Sequence, residues 1–356
     1  MIKFLHAADL HLDSPFASLP PDKAAARRKE QRLMVDEIVE LCNEEGCGLL
    51  LLAGDLFDAE AARRDTWELL TRSLRNCKAR VFIAPGNHDF YAPGSPYAET
   101  WPETVHIFRS SEPAAVELDE LDAVVWGAAF TGPDSGPLLE RFTVQDPDKW
   151  NLMVLHGDLG NPSSAYNPIT REQVEASGLD YLALGHVHKA GGPQVIGGTT
   201  CAWPGCPMGR GFDETGEKGV YLGELSEKGC SVRFHPLNGR RYEILTVEAG
   251  PDPLVSIERE LPDGTERDIY RIILKGEAEP PNLRALERAL SPRFYGLTLR
   301  DETVPGRDIW AEASEDSLKG LFLKLLSARR TEDPGLYELA ARLGMAAMEG
   351  WEALDE

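Results

Sequence analysis

The sequence predicts an α/β fold, a sandwich of two packed sheets with helices outside them, followed by a smaller α+β module. Three features point to it. Five short runs, at 2–5, 49–53, 81–84, 152–155 and 181–184, are apolar throughout instead of alternating, as in strands buried on both faces. Stretches with helical spacing of apolar residues separate the first three runs, the alternation that builds a parallel sheet. The 356 residues suffice for one large domain and an appendage.

Taken in order, the run at 2–5 opens the chain as a strand. A helix follows over 22–45, with Asp22 as N-cap and Leu33, Ile38 and Leu41 at near-helical spacing. After the strand at 49–53, residues 63–77 read as a second amphipathic helix leading into 81–84. From 105 to 126 the pattern changes to short strands with acidic turns. From 199 to 236 it is β-rich again, with 219–225 and 230–235 a hairpin around 226–229; these strands are expected to complete a second sheet packed on the first. Gly and Pro cluster at Ala249-Gly250-Pro251-Asp252-Pro253, which divides a domain at 1–248 from a module at 254–356. In that module 269–275 and 294–299 read as strands and 281–290 as a helix. The tail places Leu318, Leu321, Phe322, Leu325 and Leu326 at helical spacing, with a second helix around 336–343. Such helices either fold back on their own domain or dock a partner.

Composition narrows the function classes. No apolar run reaches membrane-spanning length. The start passes directly into a strand, with no signal-peptide pattern, so a cytoplasmic protein is expected. None of the six cysteines sits in a C-x-x-C pair; they read as small buried thiols in a reducing compartment, although Cys201 and Cys206 are close enough in sequence to share a metal. The formal charge of −22 argues against a chain that grips nucleic acid by its own charge. It leaves a small substrate, or reliance on bound metal, a partner subunit or a local basic patch. Basic residues cluster at Arg27, Arg28, Lys29 and Arg32, and at Arg72, Arg75, Lys78 and Arg80; the plainer reading of both is a solvated helix face.

The five buried runs end in a specific set of residues. They lead into Asp9-Leu10-His11, Gly54-Asp55-Leu56-Phe57-Asp58, Gly86-Asn87-His88-Asp89, His156-Gly157-Asp158 and Gly185-His186-Val187-His188. In an open α/β sheet, loops at the carboxyl ends of strands share one crevice. Two divalent cations held close together need a bridging carboxylate with nitrogen and oxygen donors on either side. Carboxylate, amide and imidazole donors without thiolate suit Mn, Fe or Zn. Glycines ahead of the ligands let the chain turn sharply as it leaves each strand. A lone His-x-His or Asp-x-His is ordinarily a surface or core pair; five such pieces, each directly after a buried run, are not.

In this order, D-x-H, G-D, G-N-H-D, H-G-D and G-H-x-H resemble the signature of the calcineurin-like metallophosphoesterase superfamily over residues 1–225. Within it, the chain is similar to SbcD-type DNA repair exonucleases, in particular their YhaO-like branch. The residues that carry this are Ala8-Asp9-Leu10-His11-Leu12-Asp13-Ser14-Pro15-Phe16, Trp203-Pro204-Gly205-Cys206-Pro207, Arg210-Gly211-Phe212 and Glu214-Thr215-Gly216-Glu217-Lys218-Gly219. The resemblance implies a four-layer α-β-β-α sandwich and two divalent cations, with Mn²⁺ foremost and Fe or Zn as alternatives. Asp9, His11, Asp55 and His188 would hold one cation. Asp55, Asn87, His156 and His186 would hold the other, with Asp55 bridging. His88 would face the phosphate opposite the nucleophile and protonate the leaving oxygen, with Asp89 to orient it. DNA is the implied substrate, an SMC-like coiled-coil ATPase the implied partner and a homodimer the family-level expectation; the C-terminal module would cap DNA or bind the partner.

One position departs from the family. The better-known exonucleases carry a substrate-contacting histidine after G-D-L-F, where this chain has Asp58. A carboxylate there repels a phosphodiester unless it pairs with a base, and capping of the following helix is an equal alternative. Asp58 and Arg210 are the candidate substrate contacts. Two other readings stay open: a phosphoesterase acting on small nucleotide-type esters, and a mainly structural partner of the ATPase.

Overall fold

Each all-apolar run is buried on both sides because it lies in a sheet with helices on one face and a second sheet on the other. The computed structural model describes residues 1–58, 63–304 and 309–349. These divide into two units, one of Met1–Ile244, Gly264–Arg271 and Arg293–Gly296, the other of Leu245–Asp263, Ile272–Pro292 and Leu297–Glu356.

The first unit begins β1 (Ile2–Ala7), α1 (Pro21–Glu44), β2 (Leu49–Leu52), α2 (Arg64–Arg75), β3 (Arg80–Ile83) and β4 (Val105–Ile107). It continues with β5 (Ala114–Leu118), β6 (Ala123–Gly127), β7 (Trp150–His156), β8 (Asp158–Leu159), β9 (Pro168–Ile169), α3 (Arg171–Ser177) and β10 (Tyr181–Gly185). It closes with β11 (Gly191–Ile196), β12 (Thr199–Trp203), β13 (Gly219–Ser226) and β14 (Gly229–Pro236). One six-stranded sheet has the order β14-β13-β1-β2-β3-β4 and the other β11-β12-β10-β7-β6-β5. β1 to β4 pair in parallel, as do β6, β7, β10 and β12. The carboxyl ends of β1, β2 and β3 therefore lie together, and so do those of β7 and β10.

Alternation within the runs assigns the layers. Phe4, Leu49, Leu51 and Phe82 point at the second sheet, where they meet Val125, Leu152, Val154 and Tyr181. Leu5, Ala7, Leu50 and Leu52 point the other way, onto Met34, Val35 and Ile38 of α1 and Leu70 and Leu74 of α2. Met153, Leu155, Leu182 and Leu184 pack outward with Val174 of α3. The result is the α-β-β-α layering expected from the resemblance. His6 is fully buried between the sheets, its Nδ1 2.9 Å from the Tyr181 hydroxyl.

Three expectations change. The first helix begins at Pro21, with no side-chain cap, and Asp22 lies in its first turn. Proline has no N–H to satisfy there, and its fixed φ suits the first turn. Its buried stripe runs Ala24, Arg27, Gln31, Met34, Ile38 and Cys42, while Leu33 is exposed. Two polar residues therefore complete a face that an apolar count misplaces. Finally, the strands of 199–236 are shared out: β12 joins the second sheet, but β13 and β14 extend the first, with β13 antiparallel to β1 from Ile2↔Leu225 onward.

Then come β15 (Tyr242–Glu248), α4 (Pro253–Glu260), β16 (Ile269–Lys275), α5 (Leu283–Leu290) and β17 (Gly296–Asp301); the three strands form a sheet in that order. The second unit ends in α6 (Leu318–Ser327) and α7 (Pro334–Glu349). Leu323, Ala341 and Met345 with Ile309 make a small core for these helices. Leu318, Leu321, Leu325, Leu336, Leu339 and Leu343 are exposed. No described helix is long and apolar enough to cross a membrane.

Candidate metal centre

The loops leaving β1 and β2 run side by side and keep bonding beyond the strands. Asp9 N donates to Gly54 O (3.0 Å), His11 N to Asp55 O (2.9 Å) and Leu12 N to Leu56 O (2.8 Å). This ladder delivers Asp9, His11 and Asp55 to one point. It does so through unusual backbone: Asp9, His11, Asp55 and His186 have φ of 55°, 44°, 52° and 90°. Non-glycine residues seldom adopt such angles, which cost about 1–3 kcal/mol each and persist where the surroundings impose them. The glycines ahead of the ligands serve two purposes. Gly54 supplies a φ of 85°, whereas Gly86 and Gly185 supply room: a Cβ there would overlap the Asp55 carboxylate or the Ala53 carbonyl.

Asp9, His11, Asp55 and His188 present ligand atoms all within 4.8 Å of one another. His11 Nε2 and His188 Nε2 are 3.1 Å apart, both aimed inward. Asp9 Oδ1 accepts from His186 N (3.0 Å), while Asp9 Oδ2 is buried with no hydrogen-bond partner among the described residues. A buried carboxylate oxygen without a donor is costly unless a cation completes it. Asp55 stands between the two halves of the centre. Its Oδ2 lies 3.7 Å from His11 Nε2 and 3.3 Å from His156 Nε2, and its Oδ1 accepts from His88 N at 3.0 Å. On the second side, Asn87 Oδ1 is 3.1 Å from His156 Nε2, and the His156 and His186 rings are 5.3 Å apart. Ala53 O accepts from His156 Nδ1 at 2.9 Å, which turns Nε2 toward the centre. Asp9, His11, Asp55 and His188 fit one divalent cation, and Asn87, His156 and His186 lie beside Asp55 where a second would share it.

Electrostatics agree with a site built for positive charge. Burial works against a charged His156, but the carboxylates of Asp55 and Asp9 outweigh it and raise its pKa to about 9. Burial likewise opposes ionisation of Asp55, and the nearby His156, His11 and His88 hold it below the usual carboxylate range. His186, pressed by burial and by His156, is lowered.

His88 is exposed, its ring 4.8 Å from that of His11. Asp89 is fully buried and gives its two oxygens to four donors: Leu56 N, Phe57 N and the Tyr97 hydroxyl on Oδ2, and Gly86 N on Oδ1. It ties the loop after β3 to the loop after β2. Asp58 and Arg210 meet each other: Arg210 Nη1 donates to Asp58 Oδ1 at 3.0 Å. Asp58 Oδ1 also lies 3.2 Å from His11 Nδ1, near enough for an ion pair but not aligned as a hydrogen bond. α2 starts without a side-chain cap at Arg63, so Asp58 does not cap it. His11, Asp58 and His88 also offer ligand atoms within 4.8 Å of one another, but Asp58 is already paired and His88 faces solvent.

Several neighbours carry no motif. Glu214 is buried with Oε1 2.8 Å from His188 Nδ1, and Arg210 and His188 together keep its carboxyl ionised against the effect of burial. Asn167 Nδ2 donates to His156 O at 2.8 Å. Gln31 Nε2 donates to His11 O at 2.9 Å. Tyr166, exposed, has its ring 5.0 Å from that of His186 and tilted 41° to it. The basic clusters divide. Arg27 is fully buried and Arg32 bonds Asp13, Asp65 and Thr66, whereas Arg72, Arg75 and Lys78 are the solvated face expected of them. All six cysteines are free, five of them buried, and none belongs to a metal-ligand cluster among the described residues.

The family model described as calcineurin-like phosphoesterase matches residues 2–190. The Bacillus subtilis (strain 168) protein described as uncharacterized metallophosphoesterase YhaO is 34% identical over 272 residues, covering 70% of this chain and 63% of that one. The DNA double-strand break repair protein Mre11 of Methanopyrus kandleri (strain AV19) is 25% identical over 303 residues, covering 78% of this chain and 63% of its own. The chain thus spans a little under two-thirds of the length of each of these relatives.

Proposed function

Since the chain belongs to the calcineurin-like phosphoesterase family, we propose that it hydrolyses DNA phosphodiester bonds as an SbcD-type nuclease subunit using two divalent cations, Mn²⁺ foremost. Asp9, His11, Asp55 and His188 hold one cation in this reading, and Asp55, Asn87, His156 and His186 the other. When bound, the cations lower the pKa of the attacking water and offset charge on the phosphoryl oxygens. The protein's own residues do the rest. His88 stands exposed where its imidazole meets a phosphodiester and donates a proton to the departing oxygen. Its backbone N–H, bonded to Asp55, fixes it relative to the bridging carboxylate.

The observation that carries the hydrolase reading is the set of buried, strained ligands around Asp9 Oδ2, which has no partner of its own. DNA as the substrate is supported by the similarity to a relative named for double-strand break repair. An ATPase partner is supported by the leucines left exposed on α6 and α7. One fact favours a second reading: a charge of −22 suits a small nucleotide-type ester better than a long polyanion. Assays with Mn²⁺ on single-stranded DNA, duplex ends and a chromogenic phosphodiester separate the two. Cleavage confined to the small ester discards the nuclease reading. Deleting residues 314–356 is expected to abolish co-purification with a coiled-coil ATPase while sparing hydrolysis of the small ester.

A further inference from the structure

Arg210 sits in the segment between β12 and β13, and every nitrogen of its guanidinium is engaged. Nη1 donates to Asp58 Oδ1 at 3.0 Å, Nη2 to Glu214 Oε1 at 2.7 Å, and Nε to Glu214 Oε1 and Oε2 at 3.2 and 3.3 Å. Its backbone N–H adds a bond to Glu214 Oε2 at 2.8 Å. The two carboxylates it joins each stand against Nδ1 of a different histidine, Asp58 at 3.2 Å from His11 and Glu214 at 2.8 Å from His188. The opposite nitrogens of those rings are the pair that converge 3.1 Å apart.

Building on the two-cation reading, we propose that Arg210 is a positioning residue for the first metal position. By clamping Asp58 to Glu214 it sets a carboxylate behind each of His11 and His188 and leaves both Nε2 atoms facing one cation. The Glu214 carboxylate bonded to His188 Nδ1 selects the tautomer whose Nε2 lone pair is free and holds that ring plane, while Asp58 meets His11 Nδ1 through charge alone. Arg210 Nη2 also lies 3.1 Å from His188 Nδ1, but it donates to Glu214 over a shorter distance, and Nδ1 carries the hydrogen when Nε2 binds a cation. The clamp rests on firm ground. The fully buried Arg27 of α1 donates from Nη2 to Gly209 O at 2.9 Å, and Cys206 N donates to His188 O at 3.1 Å, so the segment is held at two points just ahead of Arg210.

This assignment also answers why the chain tolerates Asp58 where a substrate-contacting histidine is expected. The carboxylate is neutralised by Arg210 and turned toward His11, so it presents no free negative charge to a phosphodiester. Arg210 in turn commits an N–H of each guanidinium nitrogen to these two carboxylates. Lysine cannot replace it, since one ammonium does not span both partners.

The test is Mn²⁺ titration of the full chain, read as bound equivalents by the loss of the free-ion EPR signal, with Co²⁺ absorption as a second signature. Wild type is expected to take up two equivalents. In Arg210→Met and Arg210→Lys alike, one equivalent weakens by about 10–100-fold and the other is unchanged. The Co²⁺ spectrum of the weakened site shifts. Glu214→Gln reproduces the effect, and the near-isosteric Asp58→Asn reproduces it more mildly; Asp58→Asn decides the matter if Arg210→Met does not fold. Wild-type affinity for both equivalents in Arg210→Met overturns the proposal, as does equal weakening of both. A raised KM with unchanged Mn²⁺ binding also overturns it and makes Arg210 a substrate contact. Failure of the wild-type chain to take up two equivalents overturns the two-cation reading itself, whatever the variants do.

Discussion

His88 and Asp89 are adjacent in sequence but sit in opposite environments, and their substitutions separate chemistry from stability. His88 is exposed, and the hydrogen bond that fixes it uses only its backbone. His88→Ala is therefore expected to cut turnover by about 10²–10⁴-fold while elemental analysis finds the metal content unchanged. Asp89 is fully buried with four donors on its two oxygens. Removing it leaves those donors unsatisfied, so Asp89→Ala is expected to lower unfolding free energy by about 2–4 kcal/mol, measured by the urea midpoint. The candidate ligands could be picked out in the sequence because metal chemistry dictates residue type and strand ends dictate place. The supporting roles of Glu214, Asn167 and Gln31 could not, since each side chain acts from an irregular segment or a helix interior and nothing in the spacing marks the contact it makes.

At the scale of elements, the legible part is whatever burial dictates. Strands packed on both faces announce themselves as unbroken apolar runs, and their boundaries come out within a residue or two. What periodicity cannot supply is which sheet a strand joins: β13 has buried residues on both faces, and only pairing with β1 explains why it extends the first sheet. Nor does it flag polar residues in a core stripe, such as Arg27 and Gln31 on α1. His6 on β1 is another such residue, with a predictable signature. Burial depresses its pKa from 6.5 to about 3, so it is neutral in the folded protein. The unfolded chain takes up that proton once the pH drops below 6.5, and the folded one only near 3; between those values the unfolded state binds more protons and stability falls as the pH falls. His6→Gln retains a group able to bond the Tyr181 hydroxyl but cannot titrate. Its unfolding free energy is expected to decline less than that of wild type from neutral pH to about 5, followed by denaturant melts across that range.

For the molecule as a whole, the charge of −22 sets how it meets a polyanion. Two of the basic residues that offered a gripping patch are committed inside the fold, Arg27 to Gly209 O and Glu30, Arg32 to Asp13 and Asp65. The isolated chain is thus expected to bind duplex DNA weakly in chelator. Mn²⁺ should strengthen the binding and rising monovalent salt should abolish it, as read by fluorescence anisotropy. Salt-insensitive binding without metal would mean that a recognition surface other than the metal centre holds the DNA.

The pairing of β1 with β13 also bears on the chain during synthesis. The strand that leads into Asp9 and His11 leaves the ribosome before the rest of the first unit, yet its antiparallel neighbour is more than two hundred residues downstream. His186, His188 and Glu214 emerge just ahead of that neighbour. A nascent chain therefore lacks the last two of its seven candidate ligands, and keeps an open sheet edge, until residues 186–226 have been made. A cation at Asp9, His11, Asp55 and His188 can be enclosed only once the chain has been made as far as His188.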